Sequence, residues 1–199
     1  MKNKIIILCM VCISFNFGCK KEDANDPNIE YAAFNTNLAY IKDDYNYKSF
    51  DVNNDGIDDI SLEINSEIDG SDEELEIRTF APLNNNLLQI SYNKETFGGS
   101  LKQVAKAYSK GEVINSASAD FIDDDDVTLD ALLTGEYSEG HFHGSGDKFI
   151  GFRFKPTETT SGFYFGWLRI NVSSDFKTIK IIDGASQKTA DTPINAGAK

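Results

Sequence analysis

Apolar and polar residues alternate with a period of two along most of the chain, the pattern of half-buried β-strands. In residues 60–65, Ile60, Leu62 and Ile64 fall on one face, and Ser61, Glu63 and Asn65 on the other. The same alternation marks 45–50, 75–80 and 87–92, separated by turns rich in Asp, Gly and Asn. These segments predict a meander of short antiparallel strands. Further on, 148–154, 162–172 and 178–182 are the clearest strands. In the middle one, Tyr164, Leu168, Ile170 and Val172 share one face, and Phe163, Phe165, Trp167 and Arg169 the other. Large apolar groups on both faces predict a central strand in a two-layer sandwich. Only Leu101, Val104, Ala105 and Tyr108 fall at helical spacing, which places one short helix between residues 100 and 110. No repeat with a period of 20–50 residues is visible, which argues against a propeller or solenoid. The expected fold is an all-β antiparallel sandwich, jelly-roll-like, with at most one short helix.

The 199-residue composition agrees: 14 Phe and 8 Tyr beside only 4 Pro and 2 Met suit strands joined by polar turns. The start of the chain departs from the pattern. Lys2 and Lys4 precede an apolar run from Ile5 to Phe17, which ends at Gly18-Cys19. A basic leader, a short apolar stretch and a small residue form a secretory signal, and the run is too short to span a bilayer. The Gly18-Cys19 step resembles the lipobox of bacterial lipoproteins, with Asn16 and Phe17 departing from the usual residues. The resemblance implies removal of residues 1–18, lipidation of Cys19 and attachment to a membrane through the lipid. Residues 19–30, polar and proline-bearing, read as a tether, and 31–199 as a single domain. Lys20-Lys21-Glu22-Asp23 resembles a surface-export signal of Gram-negative lipoproteins, implying an outer-membrane lipoprotein that faces outward. Cys9 and Cys12 lie in the removed segment, so the mature chain has no partner for Cys19 and no internal disulfide.

Charge narrows the partners. A formal net charge of −13 disfavours nucleic acid and anionic surfaces and favours divalent cations. The acids are not evenly spread. Asp51, Asn53, Asp55 and Asp59 place side-chain oxygens at alternating positions of a short turn that contains Gly56. With the backbone carbonyl of Ile57, they form the oxygen-rich flexible loop that calcium requires. The position where a helical calcium loop carries a bidentate Glu is Leu62, so the ion would sit in a strand–turn–strand unit. A metal-free Asp-Gly hairpin is the competing reading.

Three other features carry candidate chemistry. Asp123 to Asp126 is a solvated acidic loop or, with Asp120 or Asp130, a second cation site. His141 and His143 fall two apart in a glycine-rich stretch, either as exposed imidazoles or as the start of a zinc or copper site with Glu139 or Asp147. Phe163, Phe165 and Trp167 either pack in the core or form an exposed platform that binds sugar rings.

The turn from Phe50 to Ile60 resembles the Asp-rich turns of calcium-binding β repeats of the FG-GAP and thrombospondin type 3 kind. Phe149 to Phe154, Tyr164 to Ile170 and Thr192 to Gly197 are similar to a group of uncharacterised secreted bacterial β-sandwich proteins. Those pair an early Asp-rich turn with a late Tyr-Gly-Trp-x-Arg strand; here Phe165 interrupts that order. The resemblance implies fold, export and structural calcium, and brings no activity.

No Gly-x-Ser-x-Gly elbow, His-Glu-x-x-His, Walker loop or dinucleotide fingerprint occurs. The expectation is therefore not an enzyme but a lipid-anchored, calcium-stabilised surface module, with a carbohydrate or surface-protein partner. The alternative is a glycoside hydrolase-like enzyme using paired carboxylates.

Overall fold

Residues rich in β-branched and aromatic side chains, alternating with polar ones, take up strands wherever turn residues bound them. The computed structural model describes residues 25–42, 44–69, 72–82, 87–97, 99–117, 120–122, 127–133, 137–156 and 160–199. These form β1 (Ile29–Ala39), β2 (Asn46–Phe50), β3 (Ile60–Asp69), β4 (Asp72–Phe80), β5 (Gln89–Phe97), β6 (Ser100–Ala105), β7 (Ala107–Tyr108) and β8 (Val113–Ile114). They continue with β9 (Asp120–Ile122), β10 (Val127–Leu133), β11 (Tyr137–Gly140), β12 (Lys148–Phe154), β13 (Tyr164–Val172), β14 (Thr178–Gln187) and β15 (Ile194–Asn195). Among the described residues there is no helix.

The stretch expected to be helical is instead β6 and β7. β5 and β6 form a hairpin in which Phe97 faces Ser100 and Tyr92 faces Ala105. Tyr108 pairs with Phe149 of β12. A helix of barely ten residues is marginal by itself, and two neighbouring strands offer it a full ladder. Gly98-Gly99, a two-residue hairpin signal, marks this outcome in the sequence.

One sheet runs in the order β1-β14-β13-β12-β5-β6-β10-β4-β3-β2, with a parallel step only between β6 and β10. It curls until its two edges meet through side chains. The rings of Phe34 and Phe50 lie 4.9 Å apart, Lys48 Nζ donates to Thr36 Oγ1 at 2.7 Å, and Asn46 Nδ2 donates to the Ala39 carbonyl at 2.9 Å. No backbone ladder joins β1 to β2. The result is a sandwich-like fold, not a closed barrel.

The principal core lies between the two halves. Phe50, Ile60, Leu62, Ile64 and Ile77 meet Ile150, Phe152, Leu168, Ile170 and Ile181 there. A second core covers the outer face of β12–β14, where Tyr108, Phe149, Phe165 and Trp167 pack under Ile114, Ile194 and Ala196. Strand β13 is thus buried on both faces, as its two apolar rows require.

The chain ends are tied in. Asp26 N donates to the carbonyl of Lys199 at 2.6 Å, and β1 begins at Ile29, inside the stretch read as tether. Beside this closure, Asp183 (2 % exposed) accepts from Tyr31 Oη at 2.8 Å and from Arg169 Nη2 at 2.6 Å. Lys199 Nζ lies 3.0 Å from the same carboxylate. Burial alone would raise the Asp183 carboxyl, but the donors Arg169, Tyr31 and Lys199 outweigh it and hold it below the ordinary carboxylate range.

Candidate functional site

The Asp-rich turn joins β2 to β3 and is folded around its own carboxylates. Asp51 receives two backbone amides, Gly56 N on Oδ2 at 2.8 Å and Asp55 N on Oδ1 at 3.3 Å. Asn53 Oδ1 takes Asp55 N at 2.9 Å, and Asp55 Oδ1 takes Ile57 N at 2.9 Å. Asp59 Oδ2 takes Val52 N at 2.9 Å and Asn53 N at 3.2 Å. Asp51, Asn53 and Asp55 accept amides two to five residues onward, as short Asx side chains do, and Asp59 closes the turn by accepting from Val52 and Asn53 behind it. Asn54 and Gly56 carry the left-handed backbone that closes the turn, with φ of 56° and 87°.

Two anchors fix the turn to the sandwich. Val52, fully buried, sits where Gly184 of β14 leaves room; a Cβ on Gly184 would lie 2.9 Å from Val52 Cγ1. Asn54 Nδ2 reaches Glu30 Oε1 at 3.2 Å and the Tyr31 carbonyl at 3.3 Å, joining the turn to β1.

Asp59 carries the electrostatic load. It is 2 % exposed, and burial pushes its carboxyl up from 3.8 to about 7. The amides of Val52 and Asn53 work against that rise, while the negative charges of Asp55 and Asp51 add to it. A buried carboxylate with two acidic neighbours is stabilised by positive charge. Asn53 Nδ2 supplies a partial substitute, donating at 3.2 Å both to Asp55 Oδ2 and to Asp59 Oδ1.

The donor set suits a hard cation. Asp51, Asn53, Asp55 and Asp59 bring oxygens from both limbs of the turn, with the Ile57 carbonyl between them. Among the described residues, no three acidic, histidine or cysteine side chains already converge on one point. Turning the Asn53 amide over would face its oxygen towards Asp55 and Asp59 but set its NH₂ against the Asp55 amide from which it now accepts.

Two of the other expected sites fall among the described residues. Phe165 and Trp167 are 2 % and 0 % exposed, in the second core. Phe163 is half-buried with the Arg153 guanidinium 4.2 Å and the Lys155 ammonium 4.7 Å from its ring centroid. Of the two readings, core packing holds for Phe165 and Trp167, which the β8/β15 layer covers, while Phe163 lies outside both cores. His141 Nε2 lies 2.8 Å from both carboxylate oxygens of Glu95, and the His143 ring stacks on Phe176 with centroids 4.3 Å apart. Asp147 accepts from Asn171 at 2.9 Å. The two imidazoles thus engage separate neighbours. Cys19 and the acidic run 123–126 lie outside the described residues.

One feature escaped the sequence reading. On the outer face of β2–β4, register sets Tyr47 beside Glu63, and Ser49 beside Ser61, which in turn faces Phe80. With Tyr45, Pro82 and the tip of the Asp-rich turn, they line an open groove of about 550 Å³. Tyr45, Tyr47 and Ile57 are 59 %, 55 % and 46 % exposed. Tyr45 and Tyr47, two apart around the start of β2, were legible as the outward set of that strand, but nothing local distinguished outward from solvated.

The fold and site define an all-β, sandwich-like domain organised around an acidic turn. No protein-family model matches the chain, and no curated protein or solved structure matches it.

Proposed function

We propose that this chain is a non-catalytic binding module held at the outer face of a bacterial outer membrane by a lipid on Cys19, with calcium as a structural ion in the 51–59 turn. The observation that carries the calcium reading is the Asp59 carboxylate, buried beside Asp51 and Asp55 in a turn whose amides point at its acids. Bound there, calcium would neutralise that charge and hold the turn; Asp51, Asn53, Asp55, Asp59 and the Ile57 carbonyl would be its ligands. With no disulfide open to the mature chain, an ion between β2 and β3 would reinforce the β2 edge of the sandwich. The anchor reading rests on the leader, Gly18-Cys19 and the charged segment after it.

Calorimetry of residues 20–199 tests the ion: the melting temperature rises with calcium and falls back with chelator. An unchanged melting temperature would sink the calcium reading. Labelling of the full chain with radioactive palmitate tests the anchor: label enters the wild type and is absent from Cys19→Ser. Equal labelling of both would sink it.

A further inference from the structure

We propose that the groove on the outer face of β2–β4 binds a neutral glycan, with Tyr45 and Tyr47 as its stacking platform. The inference rests on reading the chain as a binding module, and it does not require bound calcium.

Three observations converge on a polyhydroxylated, uncharged ligand. First, the rings of Tyr45 and Tyr47 run nearly parallel, 21° apart with centroids at 6.2 Å, and Phe80 tilts against Tyr47 at 6.1 Å. Tyr45 and Tyr47 follow one another at the edge strand β2 and Phe80 comes from β4 across β3, so the rings form an open strip, not a box closing on one point. A strip suits the successive apolar faces of a sugar chain, whereas a cationic head group is better held by rings that enclose it. Second, the strip is more than half exposed at both tyrosines, although large aromatic rings are costly to leave in water unless a partner covers them. Third, the polar lining is acidic: it carries the carboxylates of Asp58 and Glu63, beside the Ser49 hydroxyl, which is bonded to that of buried Ser61 at 2.8 Å. Sugar hydroxyls donate to carboxylates in charge-assisted bonds. A phosphorylated or otherwise anionic ligand would be repelled by those acids and by the chain's net charge of −13. An apolar peptide would strip water from the same carboxylates without replacing its hydrogen bonds. Gly56, Ile57 and Asp58 form one wall, so the Asp-rich turn sets the width of the groove.

The test is affinity electrophoresis of the full chain carrying Cys19→Ser, through gels containing a soluble β-glucan, galactomannan, xylan or glycogen. At least one gel retards the protein, retardation persists in high salt, and each of Tyr45→Ala and Tyr47→Ala weakens binding about tenfold. Both tyrosines are exposed, so both variants keep the wild-type melting temperature. Retardation in none of the gels overturns the proposal, as does equal retardation of wild type and both variants. A control gel holds poly-lysine in place of a glycan; retention there alone, lost in high salt, also overturns the proposal and identifies a cationic partner instead. The calcium reading is judged separately: a calcium-dependent melting temperature without retardation leaves the ion standing and removes the glycan. Tyrosine-dependent retardation with a calcium-independent melting temperature does the reverse.

Discussion

Replacing Asp59 with Asn separates the two roles of the turn, because it removes the buried charge while keeping an oxygen for the Val52 and Asn53 amides. In the folded chain the Asp59 carboxyl sits at about 7 against an ordinary 3.8. That gap corresponds to about 4 kcal/mol of destabilisation when the group is fully ionised, at 1.36 kcal/mol per pH unit. A carboxyl raised by folding burdens the fold fully above about 7, and the burden disappears as pH falls towards 3.8. Asn carries no such charge, but its own NH₂ must be accommodated against the Asn53 amide, which costs roughly 1 kcal/mol as a strained or lost hydrogen bond. In chelator at pH 8, Asp59→Asn is therefore more stable than wild type by ~2–4 kcal/mol, a rise of roughly 5–15 °C in melting temperature for a domain of this size. Calcium at ten to a hundred times its dissociation constant adds about 1–3 kcal/mol to the wild type and nothing to the variant, which lacks a ligand charge. Scanning calorimetry at pH 8 and pH 5, with calcium and with chelator, reads all four combinations. The difference between the two proteins in chelator shrinks at pH 5, and this comparison subtracts the general relief of acid repulsion that both share. A variant less stable than wild type in chelator at pH 8 would show that the buried Asp59 charge is not a net burden on the fold. It would mean that the amide bonds to the carboxylate outweigh its burial.

Three further outcomes follow from the packing. Gly184→Ala puts a Cβ 2.9 Å from Val52 Cγ1 and 3.2 Å from Phe34 Cε2; chemical denaturation shows a loss of ~1–3 kcal/mol, and the calcium-induced rise in melting temperature shrinks with it. Asp183→Ala leaves Arg169 and Lys199 without their shared carboxylate and costs ~3–5 kcal/mol in urea unfolding at pH 7. Because folding lowers the Asp183 carboxyl, its contribution is complete above 3.8 and fades as pH falls below that, so the gap between wild type and Asp183→Ala narrows in acid. Leu101, 68 % exposed on β6, tolerates Leu101→Lys within ~0.5 kcal/mol, whereas a helix packed through Leu101 and Val104 would lose several times as much.

Local pattern was enough for the class of fold and for the hydrogen bonding inside the turn. Period-two alternation is local, so Ile60, Leu62 and Ile64 declared their shared face without knowledge of any partner strand, and all three are fully buried. The Asx alternation of 51–59 is local in the same way: its acceptors and amides lie within a few residues of one another, and they find each other as the spacing requires. Tertiary structure decided everything that depends on what lies across a face. The spacing of Leu101, Val104, Ala105 and Tyr108 suits a helix as well as two strand fragments, and only β5 and β12 settle it. Phe165 and Trp167 look identical as platform or core until Ile114 and Ile194 arrive from distant segments to cover them. Conversely, Tyr45 and Tyr47 remain open because, among the described residues, no segment returns to the outer face of β2–β4. Burial is a long-range property, and the same long-range packing lifts Asp59 to about 7 and turns a soluble-looking acid into the most strongly perturbed group of the turn.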